Sequence, residues 1–196
     1  MSLELKTSYF CHETSIIDSP CQIGEGTKIW HFTHIMPNCI IGKNCTLGQN
    51  VFISSDVVIG DNTKIQNNVS LFDGVTCENN VFIGPSVVFT NVINPRAEIN
   101  RRSEFRKTQI KEGVTIGANA TIICGISLGK YSFVAAGSIV TKDVLPYALV
   151  MGNPSRQVGW VSKYGNKLNF NSKKIAVCDI TKQKYFLEKN SVKLIK

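Results

Sequence analysis

The sequence predicts an all-β fold, a parallel β-helix whose short strands wind into a triangular prism. Three observations predict it. An apolar residue stands at every sixth position from Ile17 through Ile23, Ile29, Ile35, Ile41, Leu47, Ile53, Ile59, Ile65, Leu71, Cys77 and Ile83 to Phe89. The fifth residue of each unit is small or β-branched, as in Cys21, Thr27, Thr33, Cys39, Cys45, Val51 and Val57, which suits a strand turning inward beside a large aliphatic neighbour. The fourth is Asn, Asp or Gly through eight consecutive units, Asn38 to Asn80, residues that tolerate a left-handed backbone.

Three such hexads close a coil of 18 residues, and successive coils stack one apolar column on the next, giving a continuous core. Coils are expected over about 17–145. The second position is often Gly, as at Gly42, Gly60, Gly84 and Gly117. Within this period Cys21, Cys39 and Cys45 fall at fifth positions and Cys77 at a first, so they read as core residues. The seven cysteines include no Cys-x-x-Cys pair, which disfavours metal or disulfide chemistry.

One early coil carries Trp30-His31-Phe32-Thr33-His34. His31 and His34 occupy third and sixth positions, and Phe32 takes a fourth position that is elsewhere Asn or Gly. Outward aromatic and imidazole groups are expected either at a subunit contact or along a ligand site. The only other histidine is His12, a set without the spacing of a zinc triad; no metal is expected.

The hexad fails over 94–109, which must leave the wall as an extruded loop before the period resumes at Ile110. Such long irregular segments are usually functional or disordered. This one holds Arg96, Arg101, Arg102, Arg106 and Lys107 against Glu98 and Glu104, a composition suited to phosphates or a carboxylate. Asn91, just before it, is a third-position residue, so corner geometry does not explain it. Asp73 stands one coil earlier. Together they suggest an outward polar site beside a basic loop. Pro146 cannot continue a paired strand, so the coils should end there, with a loop over 146–160. The extension 161–196 alternates over Lys174–Cys178 and Lys184–Leu187, suggesting a small hairpin.

The net charge of +8 invites a nucleic-acid reading, but its location argues against one. Residues 161–196 hold nine Lys against Asp179 and Glu188, while 1–160 are nearly neutral. The basicity belongs to the tail and not to a binding face. No segment is apolar enough to span a bilayer, and Met1–Phe10 lacks the pattern of a signal peptide. A cytoplasmic protein without nucleic-acid partner or membrane insertion is expected.

Three segments carry a resemblance: Val87-Val88-Phe89-Thr90-Asn91-Val92-Ile93-Asn94-Pro95-Arg96, Ile116-Gly117-Ala118-Asn119-Ala120-Thr121-Ile122 and Gly152-Asn153-Pro154-Ser155-Arg156. In this order they resemble the hexapeptide-repeat nucleotide-sugar N-acetyltransferases of bacterial surface-polysaccharide (lipopolysaccharide, O-antigen) synthesis, and most closely those acting on UDP-2-acetamido-3-amino-2,3-dideoxyglucuronate. The resemblance covers about His12 to Gly165. It implies a left-handed helix, where periodicity alone gives no hand, and a homotrimer with acetyl-CoA in a groove between subunits. It also implies that Ala118 and Ala136, through backbone atoms, and Arg156 hold the coenzyme, and that Asn91 orients the acceptor amine. Asp73, Arg96, Arg101, Arg102, His31 and His34 are the candidates for contact with the nucleotide sugar. An amide cannot act as a base at neutral pH, so no side-chain base is assigned, and proximity supplies much of the rate. The density of basic residues in the loop favours a uronate acceptor, whose carboxylate would use the extra cations. The alternatives are a dTDP-linked 3-amino-3,6-dideoxyhexose, a different small acceptor of another hexapeptide acyltransferase, and a non-catalytic β-helical subunit.

Overall fold

In the computed structural model, which describes residues 8–195, the hexads become strands of mostly two residues separated by corners. Each pairs in parallel with the strand three units on: Phe10–Cys11 with Lys28–Ile29, and Lys28–Ile29 with Thr46–Leu47. Among the described residues three walls result, of nine, seven and six strands. The first wall begins at Phe10–Cys11, the second runs from Ile16–Ile17 to Ile139–Val140, and the third from Gln22–Ile23 to Ser127–Leu128. The fold is a left-handed parallel β-helix.

The corners explain the fourth position. Every fourth residue from Gly26 to Ser86, and again from Gly113 to Gly137, has positive φ. Asn and Gly meet this demand cheaply. Phe32 (φ 58), Ser86 (φ 57) and Tyr131 (φ 57) meet it too, because the stacked coils above and below fix the corner whatever its side chain.

The first positions form the core, with Ile29, Ile35, Leu47, Ile53, Ile65 and Ile83 all 0 % exposed. Thr and Cys at the fifth position have a specific use. The Thr27 hydroxyl donates to the Gly42 carbonyl (2.8 Å), Thr33 to Gly48 (3.0 Å), and the Cys39 and Cys45 thiols lie 3.1 and 3.2 Å from the carbonyls of Ser54 and Gly60. A small donor at this point satisfies a carbonyl of the next coil, where Val could not. Burial pushes the Cys39 thiol up to about 11 and that of Cys77 to about 12, the mark of inert core thiols. The second-position glycines answer a close approach. A Cβ on Gly117 would stand 2.4 Å from the Ala136 nitrogen, and one on Gly84 2.7 Å from that of Ala118.

Paired residues are 18 apart below the extruded loop, as in Lys64 with Phe82, but 33 apart across it, as in Phe82 with Thr115. The loop leaves after Val88–Phe89 and contains one 3-10 turn, Arg102–Glu104. The wall resumes at Thr108–Ile110, two residues before the end expected from the sequence. Thr108, fully buried, is the small fifth-position residue of the returning hexad.

The first wall also continues past Pro146. Leu149 pairs in parallel with Phe133, and Ala148–Gly152 then turns back antiparallel onto Ser155–Trp160. Pro146 sits in the connection, where no ladder bond is required of it. Residues 161–195 form three antiparallel strands where two were expected: Ile175–Val177, Lys184–Glu188 and Ser191–Leu194. The third had a weak signal because only Val192 in it is buried. Tyr185, 0 % exposed, joins this sheet to the prism through edge contact with Tyr147, whose ring stacks on Tyr131.

The corner rule can be checked at Asn62 (φ 57). Asn62→Ala should lower stability by about 1 kcal/mol, the scale of a left-handed alanine, while Asn62→Gly should be nearly neutral. Equal losses in denaturant titrations would mean that the side chain, and not the backbone, holds the corner.

Candidate functional site

Third-position side chains point outward at the corners, and the coils stack them in columns. Where the residue is Asn or Asp, its side-chain oxygen usually accepts the main-chain N–H of the third residue one coil below. Asp61 accepts from Lys43 (2.7 Å), Asn79 from Asp61 (2.8 Å) and Asn67 from Gln49 (2.9 Å). These caps satisfy donors that coil pairing leaves over. At two corners the capping stops.

The corner between the second and third walls carries Ser55, Asp73 and Asn91 in one column. Asp73 accepts a hydrogen bond from the Ser54 hydroxyl and caps no backbone. Among the described residues the Asn91 amide makes no hydrogen bond, although its main-chain carbonyl accepts the Arg106 N–H at 2.9 Å and so pins the neck of the loop. Asp73 and Asn91 line one pocket of about 540 Å³ with Arg102 and Phe105 from the loop and Met36, Phe52, Ser54, Ser55 and Phe72 from the wall. That volume suits a small-molecule ligand. A second groove, of about 380 Å³, shares Phe72 and Asn91 and is otherwise largely apolar.

The corner between the first and second walls carries Gln49, Asn67, Pro85, Ala118 and Ala136. Alanine has no acceptor side chain, and among the described residues neither the Ala118 nor the Ala136 N–H is capped. The Ala118 carbonyl is taken by Gly137 N–H at 2.8 Å. This corner therefore offers main-chain donors outward, with room made by Gly84 and Gly117 behind them.

The structure assembles some of the sequence candidates and separates others. Asp73, Asn91 and Arg102 meet. Arg101 instead pairs with Glu104 at 2.7 Å, and the Arg96 guanidinium donates to the Pro95 carbonyl at 3.1 Å. The Arg106 stem lies against Gly125, and the Lys107 stem against Gly74. The expected dense set of cations thus does not converge: of the five, Arg102 alone lines the pocket among the described residues. His31 stacks on His12 with centroids 3.5 Å apart, at the first corner beside Trp30 and Gln49. The His34 Nε2 lies 3.0 Å from Asp18 Oδ2, with its ring edge-on to Phe52, one step from the pocket. Arg156, on the strand that folds back, lines a separate cleft with Lys142, Asp143 and Gln157. Sequence reasoning missed Phe52, Ser54 and Phe105. The first two had a signal, since they stand at outward positions one coil below Asp73, whereas nothing in the loop's composition singled out Phe105.

A prism of hexads with an extruded loop and an outward polar column is the architecture of the hexapeptide transferases. Residues 20–55 and 107–142 match the family described as bacterial transferase hexapeptide (six repeats), and 39–73 the hexapeptide repeat of succinyl-transferase. The chain is 43% identical over 174 residues to the dTDP-3-amino-3,6-dideoxy-alpha-D-galactopyranose 3-N-acetyltransferase of Aneurinibacillus thermoaerophilus, covering 89% of each. Among solved structures it resembles a hexapeptide-repeat acetyltransferase of Vibrio cholerae complexed with acetyl-CoA, at TM-score 0.56 and 31% identity over 62% of this chain and 70% of that one. It also resembles a galactoside acetyltransferase complexed with coenzyme A, at TM-score 0.55 and 27% identity over 69% and 70%. The chain belongs to the hexapeptide-repeat nucleotide-sugar N-acetyltransferases. No helix among the described residues is long and apolar enough to cross a membrane, and none of their His, Cys, Asp and Glu side chains form a metal-binding group.

The capping pattern makes a direct prediction. Asn79→Ala removes the cap on Asp61 and should lower stability by about 1 kcal/mol. Asn91→Ala removes no internal hydrogen bond and should change it by less than about 0.5 kcal/mol. Equal losses in thermal unfolding would place Asn91 in the framework and not in the site.

Proposed function

We propose that this acetyl-CoA-dependent enzyme N-acetylates the 3-amino group of a dTDP-linked 3-amino-3,6-dideoxyhexose. The observation that carries the reading is the lining of the pocket at Asn91. Phe52, Phe72, Phe105 and Met36 give it an apolar wall suited to a 6-methyl group, and among the described residues Arg102 is its single cation. One guanidinium suits a pyrophosphate, but it leaves no second cation for a uronate. Of the basic set that favoured the UDP-uronate in the sequence, Arg101 is paired with Glu104, Arg96 donates to the Pro95 carbonyl, and Arg106 and Lys107 do not line the pocket. The 43% identical relative, named for a dTDP-3-amino-3,6-dideoxy sugar, supports the same choice.

The residues fit the coenzyme at the other corner. The uncapped N–H groups of Ala118 and Ala136 would hold the amide-rich arm, and Arg156 would meet phosphate. Acetyl-CoA, when bound, supplies an activated thioester. Asn91 orients the acceptor amine toward it, and Asp73, held by Ser54, accepts a hydrogen bond from that amine. An uncapped N–H of the first corner would stabilise negative charge on the thioester carbonyl oxygen as the C–N bond forms; breaking of the C–S bond would release coenzyme A as a thiolate, and the proton lost by the amine nitrogen would restore its thiol. The coenzyme donors and the acceptor pocket lie on opposite edges of the second wall. A complete site therefore calls for a neighbouring subunit, which supports a homotrimer in which one chain's first corner faces its neighbour's second.

The test is acetyl transfer measured side by side on the dTDP-linked 6-deoxy sugar and on the UDP-linked uronate. The 6-deoxy sugar should show the higher kcat/KM, and Asn91→Ala should lower turnover at least about tenfold, the scale of a lost orienting contact. A higher kcat/KM for the uronate would reverse the substrate assignment. A fully active Asn91→Ala enzyme would move the site elsewhere.

A further inference from the structure

The lower coils of the first corner carry chemistry that neither the stack nor the coenzyme uses. Trp30, Gly48 and Gln66 stand 18 apart at second positions, with His31, Gln49 and Asn67 beside them at third positions. Together they line a groove of about 280 Å³. Gly48 brings no side chain, so a notch lies between the Trp30 indole and the Gln66 amide. The Trp30 ring, 39% exposed as a residue, lies within 7° of parallel to that of His31, their centroids 6.3 Å apart. His31 is in turn backed by His12. Asn67 spends its side-chain oxygen on the Gln49 N–H at 2.9 Å. The side-chain amides of Gln49 and Gln66 make no hydrogen bond among the described residues.

We infer that this groove seats the pyrimidine base of the acceptor, an inference that rests on the nucleotide-sugar reading above. Parallel rings and uncommitted amides are the parts that recognise a nucleobase. The rings stack on its plane, and a carboxamide sets a donor and an acceptor side by side against the N3–H and O4 edge of thymine. Among the described residues the lining holds no Lys or Arg, so it suits a neutral ring, while the pyrophosphate falls to Arg102. Placement agrees with chemistry. Gln49 and Asn67 belong to the same coils as Ser55 and Asp73, six residues further on. With one chain's first corner facing its neighbour's second, the groove stands at the height of the neighbour's acceptor pocket. The third-position column then rises through Pro85 to Ala118 and Ala136. Base and coenzyme thus take the lower and upper parts of one edge, and the acceptor amine, at Asn91 of the partner subunit, lies between them.

The experiment is isothermal titration of the full chain with dTDP, and with inorganic pyrophosphate for comparison. The wild type should bind dTDP more tightly than pyrophosphate. Trp30→Ala should weaken dTDP by about tenfold, the scale of one lost base stack. Gln49→Ala with Gln66→Ala should weaken it by about tenfold as well, the scale of a lost hydrogen bond. Affinities for pyrophosphate and acetyl-CoA, and the oligomeric mass by light scattering, should stay those of the wild type. Unchanged dTDP affinity in both variants would overturn this inference alone and place the base elsewhere. A wild type that binds no dTDP would overturn the nucleotide-linked acceptor together with it. Loss of the oligomer in Trp30→Ala, with wild-type dTDP affinity in the glutamine variant, would make the groove a subunit contact and overturn the inference.

Discussion

The prism follows from the register of 18 residues. Each coil gives its N–H groups to the carbonyls of the next, so any residue must fit the residue 18 places away as closely as its own neighbours. Wall positions then carry Ile or Leu inward, because only a continuous apolar column fills a prism this narrow. Corner positions must adopt positive φ, and the second position must be small where the next coil's nitrogen presses on it. The stack is strict enough to hold Phe32 and Tyr131 in a backbone conformation that their side chains disfavour.

In the proposed reading, function sits where residues stop serving the stack. At third positions an Asn or Asp ordinarily turns back to cap the coil below, as Asp61, Asn67 and Asn79 do. Ala118 and Ala136 cannot cap, and so leave donors outward at one corner. Asp73 and Asn91 could cap but do not, and so leave side chains outward at another. The same column position thus yields a structural clip, an outward main-chain donor or an outward side chain, according to which residue occupies it and where it turns. The extruded loop adds the remaining wall of the pocket, pinned at its neck by the bond from Arg106 to Asn91.

The prism itself was legible in the sequence because its period is local and repeated many times. Its ends were less so. Pro146 reads as a terminator, yet the proline falls in a connection and the first wall gains two further strands beyond it. Asn91 was singled out by its position, although the reason first available, that it is not a corner residue, was incomplete. Asn79 also stands at a third position and is a cap, and only the hydrogen bonds tell the two apart. The loop was visible as a break in period and as a run of arginines. Which arginine enters the pocket was not visible, because the ion pair of Arg101 with Glu104 and the packing of Arg106 over Gly125 depend on how the loop folds back. Composition counted the cations; geometry left one in place.

The claim on which the rest turns is that freed main-chain donors at the first corner make the coenzyme site, and one substitution addresses it. Ala136→Asn places over Ala118 the same cap that Asn79 places over Asp61. Acetyl-CoA affinity, measured by isothermal titration, should fall by about tenfold, the scale of one lost hydrogen bond, while thermal stability holds or rises. An unchanged affinity with raised stability would show the cap formed and the coenzyme indifferent to it, and would contradict the assignment of that corner.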